Sequence, residues 1–143
     1  MTARFTLIAA GATSATRSAA FPLDEPLEEK AAAQAAAMAA EINDADRIWC
    51  SPALSARQTA AALGLTADSD PRLADLDFGR WAGKGPEELM QAEPDALVAW
   101  LRDPAAAPHG GESVQDLVGR IGGWLDEQER HIGRGNVIRS EER

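Results

Sequence analysis

The residues with the clearest chemical potential lie where a short apolar segment turns into a helix. Residues 48–50, Ile-Trp-Cys, have the composition of a buried strand, Ser51 is typical of a helix N-cap, and Pro52 fits the first helical position. Arg57 then falls on the second turn, from which its side chain can lean back toward the strand end, where free helix N–H groups favour an anion. This pattern predicts an anion site at Arg57. The alternative is a solvated arginine on an amphipathic helix.

Three segments of the sequence share a pattern: SPALSARQTA at 51–60, LADLDFGRWAG at 73–83 and GGES at 110–113. In this order they resemble the signature of the histidine phosphatase family, also called phosphoglycerate mutase-like. Residues 51–60, SPALSARQTA, are similar to the family's S-P-x-x-R-A-x-Q-T-A, except that here the arginine follows the alanine. Residues 73–83, LADLDFGRWAG, resemble L-x-E-x-D-F-G-x-W-E-G, and residues 110–113, GGES, with Arg120 downstream, resemble its G-G-E-S segment and the next helix. The resemblance implies one α/β domain over residues 1–143, a three-layer sandwich of a mostly parallel sheet flanked by helices.

The family's nucleophile is where this sequence departs most from the pattern. In the family, the segment R-H-G-x-T ends the first strand, and its histidine attacks phosphorus and carries the phosphoryl group. The matching residues here are Ala9, Ala10, Gly11, Ala12 and Thr13. An alanine methyl cannot act as a nucleophile, and loss of the arginine removes charge neutralisation of the phosphoryl group. The sequence therefore predicts a catalytically degenerate member.

The resemblance implies a reduced phosphate site and a vestigial acid. Arg57, Gly11, Thr13 and Arg17 are the residues left to hold a phosphate, with Gly11 permitting close backbone approach and Thr13 offering a hydroxyl. Asp75 matches the family's acidic residue, which protonates the leaving group, but this role has nothing to assist without a nucleophile. Asp75 could equally be a carboxylate at a turn or strand end.

His109, Glu112 and Ser113 are expected at the substrate pocket, because the G-G-E-S loop borders it in the family. His109 is one of two histidines in the chain. The alternatives are ordinary: a loop histidine is usually solvated, and Ser113 is an acceptable N-cap for the following helix. His131, the other histidine, is expected to be a cation that favours the C-terminal end of a helix dipole.

Composition and charge exclude several classes of partner. The chain of 143 residues carries a net charge of −9 and has a pI near 4.6, so its general field repels nucleic acid and anionic membranes. The expected partner is inorganic phosphate or a small phosphorylated ligand, without a metal or cofactor. The single cysteine, Cys50, excludes an internal disulfide and suits a reducing, cytoplasmic location. No apolar run approaches the roughly 18 residues of a membrane span.

A βαβα unit is predicted to position these residues. Its order is a strand at 4–10, a polar loop at 11–18, a helix at 26–42, a strand at Ile48 and a helix from Pro52 to a C-cap at Gly64. Residues 71–78 are expected to include a short extended piece. Further helices are predicted at 86–91, 94–101 and 113–130, the last with glycines at 119, 122 and 123 that favour close packing against the sheet. The start of the chain also resembles a weak signal peptide, although the strand accounts for it better.

The C-terminal part of the pattern is incomplete. The family follows its long helix with a strand ending in a second histidine, and residues 133–140, GRGNVIRS, supply none in either register. We therefore expect a C-terminally incomplete family member that is inactive or nearly so and that binds a phosphate-bearing small molecule weakly. Two alternatives stay open: an active phosphomonoester hydrolase with rearranged groups, and an interaction module that uses another face of the scaffold.

Overall fold

A computed structural model describes residues 4–42 and 44–132 of the chain. The helices are α1 (Ser14–Arg17), α2 (Glu29–Met38), α3 (Leu54–Ala62), α4 (Pro86–Ala92), α5 (Pro94–Arg102) and α6 (Val114–Ile132), and the strands are β1 (Trp49–Cys50) and β2 (Asp68–Ser69). Single 3₁₀ turns span Ala39–Glu41, Pro71–Leu73 and Gly79–Trp81. The predicted C-terminal strand segment, 133–140, lies outside the described residues. No helix in the described ranges is long and apolar enough to cross a membrane.

The two strands form a parallel pair connected through α3. This is not the predicted pair, which is residues 4–10 with the strand at Ile48. Trp49 aligns with Asp68, and the Trp49 ring packs edge-on against Trp124 of α6, with ring centroids 5.2 Å apart. The extended piece expected within residues 71–78 lies earlier, at β2. Residues 71–73 instead form a 3₁₀ turn, because the Asp70 carboxylate accepts a hydrogen bond from the Arg72 N–H at 2.9 Å.

Helix α3 ends as predicted but begins two residues late. At its C-terminal end Gly64 adopts φ +73°, and the Leu65 N–H donates to the Ala60 carbonyl at 2.9 Å, which closes a Schellman motif. At its start the predicted N-cap, Ser51, is not the cap. The free N–H of Leu54 donates instead to the Asp24 carboxylate at 2.8 Å. A side chain 30 residues away in sequence therefore sets this helix end.

The predicted strand over residues 4–10 is wrong, because residues 4–12 form no regular element. Residues 5–10 and β1 line the same cavity, and no backbone hydrogen bond joins them. Leu7 and Ile8 are 61% and 41% exposed. A strand needs a hydrogen-bonded neighbour at about 4.8 Å. In the described chain β1 has only β2 as a partner, so apolar composition alone does not make residues 4–10 a strand.

The centre of the hydrophobic core lies around Trp81 and the two helices that follow it, α4 and α5. Trp81 and Leu89 are fully buried and Leu97 nearly so. The half-buried aromatic rings of Phe21, Phe78 and Trp100 pack against this cluster. Leu89 belongs to α4, and Leu97 and Trp100 belong to α5; the predicted starts of these helices at Pro86 and Pro94 are confirmed. The burial of apolar surface, rather than the small sheet, therefore stabilises this half of the molecule.

Helix α6 begins as the sequence predicts, but its glycines are not packed. The Ser113 hydroxyl accepts from the Asp116 N–H at 3.0 Å, which is the N-cap geometry. A Cβ built at Gly119, Gly122 or Gly123 would meet nothing within 4 Å among the described residues. The expectation of close packing against the sheet is therefore wrong within residues 4–42 and 44–132, where these glycines leave one face of α6 open.

Candidate functional site

Two cavities share Asp75 in their walls. The first, of about 530 Å³, is lined by Asp75, Asp77, Arg120 and the loop 110–112, with three further residues: Pro71, Ala74 and Asp116. The second, of about 390 Å³, is lined by residues 5–10, β1, part of α3, Trp124 and Asp75. Asp75 is exposed and belongs to no helix or strand. The predicted acid therefore stands between the segment that should hold the nucleophile and the G-G-E-S loop.

The position of the family's nucleophile lies on the wall of the second cavity. Ala9 and Ala10 line it, together with four residues that carry a thiol or hydroxyl: Thr6, Cys50, Ser51 and Thr59. Burial raises the pKa of the Cys50 thiol, with nearby Arg57 acting in the opposite direction. The thiolate, which would be the nucleophilic form, is therefore less populated than in a free cysteine. Neither histidine of the chain lines this cavity or the first.

Gly11 and Thr13 use their polar groups inside the protein. The Gly11 N–H donates to the Thr59 hydroxyl at 3.0 Å. Thr13 is buried, and its hydroxyl caps α1 by accepting from the Thr16 N–H at 3.3 Å. A Cβ at Gly11 would lie 3.0 Å from a methyl carbon of Leu27. Gly11 therefore docks this segment on α3, and Thr13 caps α1, so both residues predicted to cradle phosphate already have hydrogen-bond partners inside the protein.

The two predicted phosphate arginines differ in their partners. Arg17 forms an ion pair with Glu28 at 2.6 Å and is 71% exposed at its side chain. Arg57 is exposed on α3, and its Nε donates to the Pro52 carbonyl at 3.1 Å. Among residues 4–42 and 44–132, Arg57 makes no ion pair. Gly11, Thr13, Arg17 and Arg57 line neither cavity. Among the described residues, Arg57 is the cation of this set that has no carboxylate partner.

Arg120 ties the G-G-E-S loop to the segment before Asp75. Its Nε and Nη2 donate to the two oxygens of Glu112 at 2.9 and 2.8 Å, and its Nη1 donates to the carbonyls of Arg72 and Ala74 at 2.7 and 2.9 Å. The hydrogen bonds from Arg120 lower the pKa of Glu112. Sequence reasoning placed Arg120 in the resemblance but assigned it no role. Its position eight residues after Glu112 on the next helix was the available signal.

Of the three residues expected at the substrate pocket, only Glu112 lines a cavity. Ser113 is buried as the cap of α6. His109 is 1% exposed and lines neither cavity, so the expectation that it is at the pocket surface or solvated needs correction. Its ring lies 5.2 Å from that of Trp81 and 5.8 Å from that of Phe78, centroid to centroid. The aromatic core, which the local sequence does not reveal, covers it.

A family model now decides the relationship that the segments suggest. The model of the histidine phosphatase superfamily (branch 1) matches residues 6–139. The chain belongs to the histidine phosphatase superfamily. This confirms the predicted family. Among the described residues, no group of three or more His, Cys, Asp or Glu side chains could hold a metal ion.

Curated relatives of this superfamily member have phosphatase names. It is 32% identical over 99 residues to phosphoserine phosphatase 1 of Hydrogenobacter thermophilus, covering 65% of this chain and 47% of that protein. It is 41% identical over 69 residues to the glucosyl-3-phosphoglycerate phosphatase of Mycolicibacterium vanbaalenii, covering 46% of this chain and 31% of the relative. The chain thus spans less than half the length of each of these relatives.

Solved structures give the same fold over nearly the whole chain. The mycobacterial glucosyl-3-phosphoglycerate phosphatase in complex with VO3 superposes with a TM-score of 0.80 at 27% identity, covering 98% of this chain and 76% of that one. Mycobacterial hydrolase 1 superposes with a TM-score of 0.82 at 26% identity, covering 97% and 74%. The predicted phosphoglycerate mutase-like α/β fold class is therefore confirmed.

Proposed function

We propose that this superfamily member does not use a phosphohistidine intermediate and binds a phosphate-bearing small molecule only weakly. The observation that carries the proposal is the alanine at position 10, where the family places its nucleophile, on the wall of a cavity that neither histidine reaches. The adjacent Ala9 offers no charge to a phosphoryl group. Cys50 on the same wall is a poor substitute, because burial raises the pKa of its thiol.

Weak anion binding in this proposal depends on Arg57. It lies exposed near the start of α3 without a carboxylate partner in the described chain. A hydrogen bond to a charged group contributes about 1.5–3 kcal/mol, so one arginine with a few backbone donors gives roughly millimolar affinity, near −4 kcal/mol. The net charge of −9 opposes anion binding further. The relatives' names, phosphoserine phosphatase and glucosyl-3-phosphoglycerate phosphatase, support a small phosphorylated molecule as the ligand class.

Titration with inorganic phosphate, followed by backbone amide shifts, tests the binding part of this proposal. We expect shifts near Arg57 at millimolar phosphate, weakened by added salt because the charge is exposed. The Arg57→Ala variant should lose them. The matched Arg17→Ala variant should keep them, since Glu28 already neutralises Arg17. Absence of any response at tens of millimolar phosphate, roughly ten times the estimated dissociation constant, would contradict binding.

Hydrolysis of a generic aryl phosphate tests the catalytic part. We expect the wild-type protein to hydrolyse it no faster than the Arg57→Ala variant. A wild-type rate well above that of the variant, and lost on replacing His109 or Cys50, would instead support an active hydrolase with rearranged groups.

A further inference from the structure

The loop that lines the first cavity is interlocked with the segment that follows Asp75. The Arg80 N–H donates to the His109 carbonyl at 3.1 Å, and the Glu112 N–H donates to the Asp77 carbonyl at 2.8 Å. Gly79 has φ +51°, and a Cβ there would lie 2.2 Å from the His109 carbonyl oxygen. The two segments therefore touch backbone to backbone, and the position of one fixes the other.

The imidazole of His109 belongs to this contact. Its Nδ1 accepts a hydrogen bond from the Gly111 N–H at 3.0 Å. Its Nε2 is buried and has no hydrogen-bond partner. An imidazole that accepts at Nδ1 is neutral and carries its proton on Nε2. A second proton, on Nδ1, would point donor to donor at the Gly111 N–H and would place a charge on a side chain that is only 1% exposed, which is unfavourable.

We propose that His109 is a pH-sensitive latch: its neutral form holds the loop 110–112 against residues 77–80, and its protonation releases the loop and reshapes the first cavity. The proton comes from solvent when the loop opens. The hydrogen bonds that hold the loop are broken, and no covalent bond other than the new N–H changes. The latch regulates access to a cavity that Gly110, Gly111 and Glu112 line. It operates whether or not the chain retains any phosphatase chemistry.

The charged groups that face His109 determine the direction of the switch. Burial lowers the pKa of His109 most, Asp77 raises it and Arg80 lowers it further. The pKa of His109 in the closed state lies below the ordinary 6.5. Above pH 6.5 the imidazole is neutral in both states, so the closed loop keeps its full advantage in free energy. Its advantage falls as the pH drops from about 6.5 toward the closed-state pKa, since the open state takes up the proton first. Each pH unit in this window favours opening by up to about tenfold.

Hydrogen exchange at the Gly111 amide tests the latch in the intact chain. After correction for the intrinsic exchange rate, the protection of this amide should fall by up to about tenfold per pH unit as the pH drops below about 6.5. The His109→Asn variant should lose this pH dependence, because an asparagine oxygen can accept from Gly111 without titrating. The matched His131→Asn variant, at an exposed histidine, should behave like wild type.

The wild-type protein supplies an independent test that needs no variant to fold. It has two histidines, so their ring signals can be followed separately through a pH titration. The latch requires the Gly111 amide shift to move together with the titration of His109. Titration of His109 without a response at Gly111, or Gly111 protection that does not depend on pH, would overturn the proposal.

Discussion

The segment at the family's nucleophile position, residues 9–13, and the segments at 73–83 and 110–113 lie in different physical environments. Trp81, within the second segment, is fully buried, and Gly111, in the third, is interlocked with the backbone at Asp77. In contrast, Leu7 and Ile8, just before residues 9–13, are exposed beside a cavity. Packing thus requires residues such as Trp81 and Gly111 in the segments at 73–83 and 110–113, independently of any catalytic role. Nothing in the described packing requires histidine at position 10, so alanine there leaves the fold intact.

The sharpest test of this contrast is a pair of identical truncations. Leu89→Ala, at a fully buried site, should reduce the free energy of unfolding by about 2–5 kcal/mol, because it removes a buried side chain and leaves a cavity. Leu7→Ala, at a site 61% exposed, should change it by less than about 0.5 kcal/mol. Chemical denaturation of both variants measures this. Similar losses in the two would show that residues 5–10 are packed.

The Arg120 contacts test whether polar interactions also hold the later segments. Arg120→Met should reduce the free energy of unfolding by about 2 kcal/mol, since Glu112 and the carbonyls of Arg72 and Ala74 lose a charged donor. Arg120→Lys should recover little, because an ammonium cannot reproduce the planar set of donors. The denaturation midpoint of each variant, compared with wild type, gives the answer. If Arg120→Lys were as stable as wild type, the positive charge alone would account for the effect of Arg120.

Acid should weaken the junction of β2 and α6 through Asp70. Hydrogen bonds from Arg72 and from the Trp124 ring N–H lower the pKa of the Asp70 carboxyl to about 2. A carboxyl with a lowered folded-state pKa contributes stability above its unfolded value, 3.8, and loses that contribution as the pH falls toward about 2. We expect Asp70→Asn to reduce the free energy of unfolding by about 1–2 kcal/mol at pH 7 and by much less at pH 2, as measured by denaturation at each pH. An equal reduction at the two pH values would contradict this.

The open face of α6 predicts the smallest effect, with the opposite sign. Gly119→Ala should raise the free energy of unfolding by about 0.5–1 kcal/mol, because alanine loses less backbone entropy in a helix and its Cβ meets nothing in the described chain. Thermal denaturation of the variant would show a higher midpoint. A lower midpoint would indicate that this face is covered.

Local signals in the sequence predicted the elements whose ends depend on local chemistry. The prolines at 86 and 94 located the starts of α4 and α5, Ser113 the start of α6, and Gly64 the end of α3. In each case the deciding contact is within a few residues along the chain. The capping box of Thr13 and Thr16 has the same local character, and it was missed because Thr13 was interpreted as a phosphate ligand.

Features that depend on distant parts of the chain could not be predicted. A strand over residues 4–10 requires a partner edge, which apolar composition does not supply. The burial of His109 depends on Phe78 and Trp81, which its neighbours in sequence do not indicate. Likewise, the occupied N–H of Gly11 depends on the Thr59 hydroxyl of α3, 48 residues away in the sequence. The family pattern therefore predicted the family and the fold but not these contacts.

Trapping of a covalent phosphoenzyme is the measurement that tests the central claim most directly. The purified protein would be incubated with an aryl phosphate or acetyl phosphate, and intact-mass spectrometry under conditions that preserve phosphohistidine would follow. Because position 10 is alanine and neither histidine reaches the cavities, we predict no phosphoryl adduct. A stoichiometric adduct that maps to His109, His131 or Cys50 and turns over with added substrate would contradict the account.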